Sequence, residues 1–501
     1  MTISAAAPAM DKTMVWGCSW CLVSGRIVAM PHAAGKAAQE SVERLLERIA
    51  TVDVHTNAVC TLNPDAGKQA AALDREASDG RRRSVLHGQV VLVKDNVDTA
   101  DLPTTAGSLA LTDVPAPKRD AVLVDRLRQA GMVVLGKTNL SEWANIRDES
   151  STSGWSAYGG LTRNPYGLNR SAGGSSSGSG AAVAAGLSPY AVGTETDGSI
   201  SCPAAFNGCV GFKPTVGLVP TTGVVPISPS QDCPGPMATT VRDAAALLSV
   251  LSAKESDYAS HAVGGRLVGK RIGVPRAVYW GYSPHADAAG ERAVALLAAE
   301  GATIVDNADL PKIADSVWQD ELVVLLTEFR TAVGHYLQSR AGDLPRSLEE
   351  LVAFNRAHAD SELRHFGQSL FEKALAGPGV QDAAYLQARA RCVAASRTDG
   401  IDAVLRGYEL DALVTPSYAP ASPIDLVNPE SLPGSCTGAT AMAGYPLLTV
   451  PTELAAGLPV AVSFWGAAHS ETSLVEIAHG YEQARNRTSG PLPEPSFPTF
   501  V

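Results

Sequence analysis

Runs of apolar residues at helical spacing alternate with short β-branched runs along the first part of the chain. From Gln39 to Thr51 the apolar side chains recur every three or four residues with charges between them, which is typical of a surface helix. Gly88–Asp95 is a β-branched run that contains a lysine near its end, and it predicts a buried strand. A second helix and strand are predicted at Ala121–Ala130 and Met132–Leu135. This alternation predicts an α/β fold with a largely parallel sheet.

The strand patterns stop over the segment from Ser316 to Leu386. Two capping boxes, Ser316-x-x-Gln319 and Ser347-x-x-Glu350, each precede an apolar helical run there. Because the segment has no strand of its own, we interpret it as a helical insertion or cap over one side of a functional site. Strand patterns then return between residues 408 and 465.

Together these patterns predict one large domain at residues 37–490, with a twisted, mostly parallel mixed sheet flanked by helices and a helical insertion. Within it we expect a core, a helical cap or insertion and a set of returning strands, at residues 85–240, about 313–390 and 408–465. The flanking parts are expected to be a poorly defined N-terminal segment and a C-terminal tail, residues 1–36 and 491–501.

Composition and charge exclude several classes of function. The chain has 501 residues, of which 45% are hydrophobic and 18% charged, as is typical of a globular protein with a sizeable core. Its formal net charge is −11 and its longest basic run is Arg81–Arg83, so we expect no nucleic-acid partner. No apolar run reaches the roughly 18 residues of a membrane span, so we expect no membrane partner.

The cysteines and the N-terminal residues bear on metal binding and compartment. Cys18 and Cys21 have the spacing of a redox or zinc pair, but no second Cys/His pair at zinc-site spacing accompanies them, so we expect no metal site. Met14–Met30 only loosely resembles a signal peptide, because polar residues and glycine interrupt its apolar region. We therefore expect a cytoplasmic protein, with a secreted or periplasmic location as the alternative.

Ser171–Pro203 is the stretch around which we expect the chemistry to be organised. Nine of its first ten residues are Gly or Ser, a composition that also suits a flexible linker. A linker would not be followed at once by the small-residue helix start Ala181–Ala185, nor by an apolar run that leads into Thr194–Ser199. The small residues therefore indicate a place where backbone and hydroxyl groups approach another group closely.

The sequence lacks the motifs of the commonest hydrolytic and nucleotide sites. It has no HExxH, and neither a GxSxG elbow nor a phosphate-binding glycine motif stands between a predicted strand and a predicted helix. Serine and lysine remain. A lysine amine is a poor base at its ordinary pKa of about 10.4, but burial lowers that pKa by several units. Lys94, where a buried strand gives way to a loop, is a candidate base; the alternative is a surface pair with Asp95 or Asp98.

Four separated motifs then occur in a recognisable order. They are Val93-Lys94-Asp95-Asn96, Gly173-Gly174-Ser175-Ser176, Gly198-Ser199-Ile200 and Gly211-Phe212-Lys213-Pro214-Thr215. On these motifs the chain resembles the amidase signature hydrolases, from about Gln39 to its final helix. The stretch Gly193–Ser199, followed by Pro226-Ile227-Ser228 and Ser230-Gln231-Asp232, is most similar to the peptide amidase branch.

The resemblance implies a Ser-Ser-Lys triad that uses neither a cofactor nor a metal. In that triad Ser199 is the nucleophile, Ser175 is a proton relay that follows a cis peptide bond, and Lys94 is the base. An oxyanion hole is implied for four backbone N–H groups, those of Thr196, Asp197, Gly198 and Ser199.

Two positions depart from the pattern of many family members. Ser201 stands two positions after the expected nucleophile, where many members have arginine, and Asp197-Gly198 stands where many have Gly-Gly. Both departures are similar to the peptide amidase branch. The first puts in doubt any ion pair that depends on the arginine.

The function that the resemblance implies is hydrolysis of carboxylic amide C–N bonds through a covalent acyl-enzyme. Peptide C-terminal amides, or aryl and alkyl amides, are the expected small-molecule substrates of a monomer or homodimer. Carbamate or ester hydrolysis by the same triad is one alternative. The catalytic subunit of a transfer-RNA-dependent amidotransferase is another, and a binding protein whose Gly/Ser loops hold an anion is a third.

Overall fold

The computed structural model describes residues 20–23, 26–29, 37–264, 267–311 and 313–501. The strands of these residues are β1 (Trp20–Val23), β2 (Arg26–Ala29), β3 (Val59–Leu62), β4 (Val90–Lys94), β5 (Val133–Thr138), β6 (Trp155–Ser156), β7 (Gly160–Leu161), β8 (Arg163–Asn164), β9 (Gly167–Ser171), β10 (Tyr190–Glu195), β11 (Val210–Lys213), β12 (Cys233–Ala238), β13 (Arg271–Val274), β14 (Thr303–Asp306), β15 (Ala412–Pro416), β16 (Leu447–Ala455) and β17 (Leu458–Trp465).

The α-helices of the described residues are α1 (Ala37–Thr56), α2 (Ala66–Ser78), α3 (Val122–Gln129), α4 (Ser177–Ala184), α5 (Ser201–Asn207), α6 (Val241–Leu251), α7 (Arg276–Tyr279), α8 (Pro284–Ala299), α9 (Asp315–Ser339), α10 (Leu348–Ala357), α11 (Ala359–Glu362), α12 (Ser369–Ala376), α13 (Ala383–Val393), α14 (Asp402–Gly407), α15 (Gly438–Ala443) and α16 (Glu471–Ser489). A π-helical segment, Ala394–Ile401, joins α13 to α14.

Eleven of the strands in the described residues form one sheet, in the order β14-β13-β15-β17-β16-β11-β12-β10-β4-β5-β3. The sheet is mixed and helices flank it, which confirms the predicted α/β fold. Parallel pairs join β10, β4 and β5 in one part of the sheet, and β14, β13 and β15 at the far end. Antiparallel pairing is more extensive than the sequence led us to expect, because β16 and β17 form a hairpin and β12 lies antiparallel to both β10 and β11.

The sheet is buried on both faces. Along β4, Val91 and Val93 enter a core shared with α3 and α6, whereas Val90 and Leu92 enter a second core shared with α1 and α4. Successive residues of a strand point to opposite faces, so a strand with two buried faces needs a continuous apolar run. By the same alternation Lys94 lies on the α4 face of the sheet.

Six helices, α9 to α14, lie between β14 and β15 in the chain. Phe329 and Val333 of α9 pack in one cluster with Trp143 and Ile146, which belong to the loop after β5. Ala106, from the loop after β4, belongs to the same cluster. The helical segment therefore packs on loops that follow the two parallel strands β4 and β5.

The chain ends carry two further observations. Of the N-terminal segment that we expected to be poorly defined, the structure describes the backbones of β1 and β2, which pair antiparallel; Cys18 lies outside the described residues. The C-terminal tail runs beside β9, where the Leu168 amide donates to the Pro498 carbonyl (2.8 Å). Among the described residues, no helix combines the length and apolar character needed to span a bilayer.

The packing of α9 generates a stability prediction. Phe329 is fully buried and its ring stacks on Phe371 with centroids 5.1 Å apart. Phe329→Ala leaves a cavity, so we expect it to lower the free energy of unfolding by about 3–5 kcal/mol in urea-induced unfolding. Leu386→Ala is the control, because Leu386 is 51% exposed. Equal effects of the two substitutions would contradict the packing described here.

Candidate active site

The parallel strands β4 and β10 place the site at their carboxyl ends. They pair in register from Val91 with Tyr190 to Val93 with Val192. Lys94 is the last residue of β4, and Thr194 and Glu195 end β10, so all three come to the same edge of the sheet. Such an edge is the usual position of ligand sites in α/β folds.

Lys94 is completely buried and its amine contacts hydroxyl and carbonyl groups. Its Nζ donates to Ser175 Oγ (2.8 Å), to Thr194 Oγ1 (2.9 Å) and to the Thr194 carbonyl (3.3 Å). No carboxylate forms an ion pair with Lys94 within the described part of the chain. Asp95 and Asp98, the partners considered in the alternative interpretation, pair instead with Lys137 (3.2 Å) and Arg340 (3.9 Å). The surface pairing of Lys94 is therefore wrong.

Burial sets the protonation of Lys94. It lowers the pKa of the amine to about 7, against the opposing effect of the charges on Glu195 and Asp232. At neutral pH a substantial fraction of the amine is therefore uncharged, with a lone pair that accepts a proton.

Ser175 lies in a tightly packed turn between β9 and α4. The Gly174–Ser175 peptide bond is cis, the geometry that the family resemblance implies for the bridging serine. The Ser175 carbonyl accepts a hydrogen bond from the Ser141 amide (3.1 Å). A Cβ at Gly174 would lie 2.4 Å from Ser141 Oγ, so a side chain does not fit there without a shift. Glycine at this position thus allows neighbouring hydroxyl groups to approach the backbone closely, as the composition indicated.

Ser199 lies in the turn that joins β10 to α5. Its carbonyl accepts a hydrogen bond from the Ser176 amide (3.1 Å), and this bond fixes the turn against the residue that follows Ser175. Ser199 itself is 8% exposed. The described residues show a hydrogen bond between Lys94 and Ser175 but none between Ser175 and Ser199. The structure thus joins two of the three predicted catalytic side chains directly and places the backbone of the third beside them.

The predicted oxyanion hole lies in the turn of residues 196–199. In the described part of the chain, none of the backbone N–H groups from Thr196 to Ser199 donates to an internal acceptor. Gly198 has φ +77°, and a Cβ there would lie 2.4 Å from the Tyr418 hydroxyl, so glycine is required for both reasons. Free amide donors at one turn are suited to stabilising a negatively charged oxygen.

A chain of contacts links this turn to the helical segment. Thr196 Oγ1 donates a hydrogen bond to Asp232 Oδ1 (2.6 Å), and Asp232 Oδ2 accepts one from the Ser228 amide (3.0 Å). The Ser228 hydroxyl then donates to Glu328 of α9 (2.8 Å). Gln231 of the same loop donates to Glu321, about two helical turns earlier on α9 (2.9 Å). The loop of residues 227–232 therefore connects α9 to the turn.

Asp197 is the acidic side chain of the turn. It is exposed, unlike Thr196 and Ser199, and its Oδ1 accepts the Thr437 hydroxyl (2.5 Å). The pKa of the Asp197 carboxyl is raised, mainly because the surrounding protein reduces its solvation and also because Glu195 is negatively charged. Burial, together with the charge of Asp197, also raises the pKa of Glu321.

Several residues of the candidate active site were not identified from the sequence. Thr194, Glu195 and Asp232 lay inside motifs that the sequence analysis used only for recognition. Their side chains contact Lys94, Ser201 and Thr196, and such contacts depend on which loops fold together. The six cysteines whose side chains are described are free thiols, and no group of three potential metal ligands lies among the described side chains.

Comparison with known proteins gives a consistent result. The model of the family described as Amidase matches residues 40–475. A probable amidase of Arabidopsis thaliana is 36% identical over 471 residues, which cover 89% of this chain and 86% of the relative. A glutamyl-tRNA(Gln) amidotransferase chain of Symbiobacterium thermophilum is 34% identical, covering 92% and 96%. The solved native peptide amidase from Stenotrophomonas maltophilia superposes with a TM-score of 0.86 at 45% identity, covering 92% and 95%.

The close approach at Gly198 generates a second prediction. Gly198→Ala forces a side chain both into a left-handed conformation and against Tyr418, whereas Gly217→Ala introduces only the first, since φ is +83° and no atom lies within 4 Å. We expect Gly217→Ala to cost about 1 kcal/mol of stability and Gly198→Ala clearly more. Thermal unfolding of both variants measures the difference, and equal melting temperatures would refute the steric argument.

Proposed function

The chain belongs to the amidase family of hydrolases, and from this premise we propose that it cleaves carboxylic amide C–N bonds through an acyl-enzyme on Ser199. The observation that carries the proposal is the 2.8 Å hydrogen bond from Lys94 Nζ to Ser175 Oγ, made by a buried amine without a carboxylate partner in the described residues. An amine in that position acts as a base rather than as half of an ion pair.

The proposed reaction begins with two proton transfers. Lys94 accepts the proton of Ser175, and Ser175 accepts the proton of Ser199 while Ser199 Oγ attacks the amide carbon. The negative charge on the carbonyl oxygen is stabilised by the amides of the Thr196–Ser199 turn. Because no hydrogen bond joins Ser175 to Ser199 in the described structure, this transfer requires a rotation of the Ser199 side chain or a bridging water, and such contacts often tighten when substrate binds.

The second half of the reaction uses the same groups in reverse. The relay returns a proton to the leaving nitrogen, the C–N bond breaks, and the acyl group stays on Ser199 Oγ as an ester. A water molecule, deprotonated through Ser175 by Lys94, attacks this ester and releases the acid, and Ser199 recovers its proton. No cofactor enters these steps.

For the substrate we propose small-molecule amides, with peptide C-terminal amides first. The support is the likeness to the Stenotrophomonas maltophilia peptide amidase over more than nine tenths of both chains. Aryl and alkyl amides, carbamates and esters present the same carbonyl carbon to the triad. A panel of peptide amides, anilides, carbamates and aryl esters, scored by kcat/KM, ranks these classes. We further propose a monomer or homodimer.

Amidotransferase activity is the second candidate, because the glutamyl-tRNA(Gln) amidotransferase chain of Symbiobacterium thermophilum is also 34% identical to this one. The two candidates differ in what the chain does alone. Hydrolysis of a simple amide by the purified chain, with no co-purifying partner, supports the free-standing hydrolase. Amide hydrolysis that requires a partner protein supports the amidotransferase.

Replacing the nucleophile tests the assignment of Ser199. We expect Ser199→Ala to lower kcat at least about 10⁴-fold on every cleaved substrate, since no covalent intermediate can form. Its circular dichroism and melting temperature should stay near those of the wild type. Ser256→Ala, at an exposed position in the loop after α6, is the matched control and should keep full activity. Mass spectrometry should detect the acyl adduct on Ser199, and turnover by Ser199→Ala would remove Ser199 from the mechanism.

The protonation of Lys94 predicts the pH dependence. Burial lowers its pKa to about 7, and only the neutral amine accepts a proton, so kcat/KM should reach half its plateau near that pH. Below it kcat/KM should fall about tenfold per pH unit. Lys94→Met should be inactive across the whole range. A wild-type profile that stays flat below neutral pH would exclude Lys94 as the base.

A further inference from the structure

The carboxylate of Glu195 closes the turn that contains Ser199. Glu195 is 1% exposed at the end of β10. Its Oε2 accepts three hydrogen bonds of 2.8 Å, from the amides of Ile200 and Ser201 and from the Ser201 hydroxyl. Its Oε1 is buried without a hydrogen-bond partner among the described residues. One carboxylate oxygen thus ties the strand end to the first residues of α5.

The residues enclosed by this contact are the ones that the reaction needs. Thr196–Ser199 lies between Glu195 and Ile200, and its four amides donate to no acceptor in the described residues. A short loop tied at both ends has few conformations, so these amides stay directed away from each other's carbonyls. Preorganised donors of this kind stabilise a developing oxyanion without reorganisation.

Ser201 distinguishes this arrangement from that expected for many members of the family. The sequence analysis noted serine here where many family members have arginine. In the structure its hydroxyl, a neutral donor, contacts Glu195, and no basic side chain forms an ion pair with Glu195 in the described part of the chain. Within the described structure the negative charge of Glu195 is therefore not neutralised by an ion-pair partner, and it acts on the groups around it.

We propose that Glu195 is a positioning residue with two effects: its hydrogen bonds fix the turn that carries Ser199, and its charge tunes the base Lys94. The inference rests on the proposed function. Glu195 directly follows Thr194, whose carbonyl (3.3 Å) and hydroxyl (2.9 Å) contact Lys94 Nζ, so the buried carboxylate ends its strand beside the buried amine. Asp232, from the loop of residues 227–232, is bound to the same turn through Thr196. The negative charges of Glu195 and Asp232 both favour the charged form of Lys94 against burial. Ser175 and Thr194 face the amine with uncharged groups.

Three variants separate the two effects. Glu195→Gln keeps the length and an acceptor oxygen but removes the charge. Glu195→Asp keeps the charge but shortens the side chain, so it cannot hold Ile200 and Ser201 as before. Ser201→Ala removes one of the three hydrogen bonds and leaves the carboxylate intact. Glu349→Gln, on the exposed surface of α10, is the control.

The readout is the rate at which a fluorophosphonate labels Ser199, measured against pH alongside amide hydrolysis. Labelling depends on the nucleophile and its base but not on the amide substrate. For Glu195→Gln we expect the acid limb of the labelling profile to move to lower pH by about one unit, because the amine loses a neighbouring negative charge. For Glu195→Asp and Ser201→Ala we expect the limb to stay in place and the plateau rate to fall about tenfold.

The possible results test the two effects of Glu195 separately from the proposed amide hydrolysis. An unmoved acid limb in Glu195→Gln overturns the effect of charge, and wild-type plateau rates in both Glu195→Asp and Ser201→Ala overturn the positioning effect. If Glu195→Gln does not fold, by circular dichroism, Ser201→Ala at the wild-type rate still overturns the positioning effect. A wild type that is labelled but hydrolyses no amide refutes the proposed function and leaves the inference to be judged by labelling. A wild type that is not labelled at Ser199 overturns both.

Discussion

A buried amine that forms no ion pair with a carboxylate of the described residues is the constraint on which the rest of the site depends. Two other lysines of the core, Lys137 and Lys213, are also completely buried; Lys137 pairs with Asp95, whereas Lys213 donates to the carbonyls of Pro214 and Tyr445 and contacts no serine hydroxyl in the described structure. Among the described residues, the partners of Lys94 are the hydroxyls of Ser175 and Thr194 and the carbonyl of Thr194. Burying a charge without a partner is costly, so the protein favours the neutral amine. Burial lowers the pKa of Lys94 to about 7, and this is what allows its amine to act as a base at neutral pH.

The position of Lys94 follows from the pattern of the strand before it. The run from Val90 to Val93 is apolar at every position because the sheet is covered on both faces. Alternation along the strand then directs the next side chain to the α4 face, where the chain turns through Gly174 and Ser175. The fold class, the buried strand and the meeting of Lys94 with Ser175 could therefore be predicted from sequence pattern and family motifs.

Other parts of the molecule could not be predicted in this way. The antiparallel pairing of β12 with β10 and β11 depends on long-range register, which local periodicity does not contain. Asp232 and Glu328 meet the site through residues far from them in the chain, so no spacing rule indicates them. Glu195 lay inside a recognised motif, but its contact with the Ser201 hydroxyl becomes visible only when the turn is folded.

The loop of residues 227–232 gives the helical segment a second role besides its packing on the loops after β4 and β5. Glu321 and Glu328 of α9 accept hydrogen bonds from this loop, and Asp232 of the loop accepts one from Thr196. A displacement of α9 would therefore also displace the turn. A chimaera that exchanges the helical segment with that of a relative, in order to alter substrate range, must therefore transfer the loop together with it. Evolution of new specificity in this chain is expected to proceed by paired changes in the two segments.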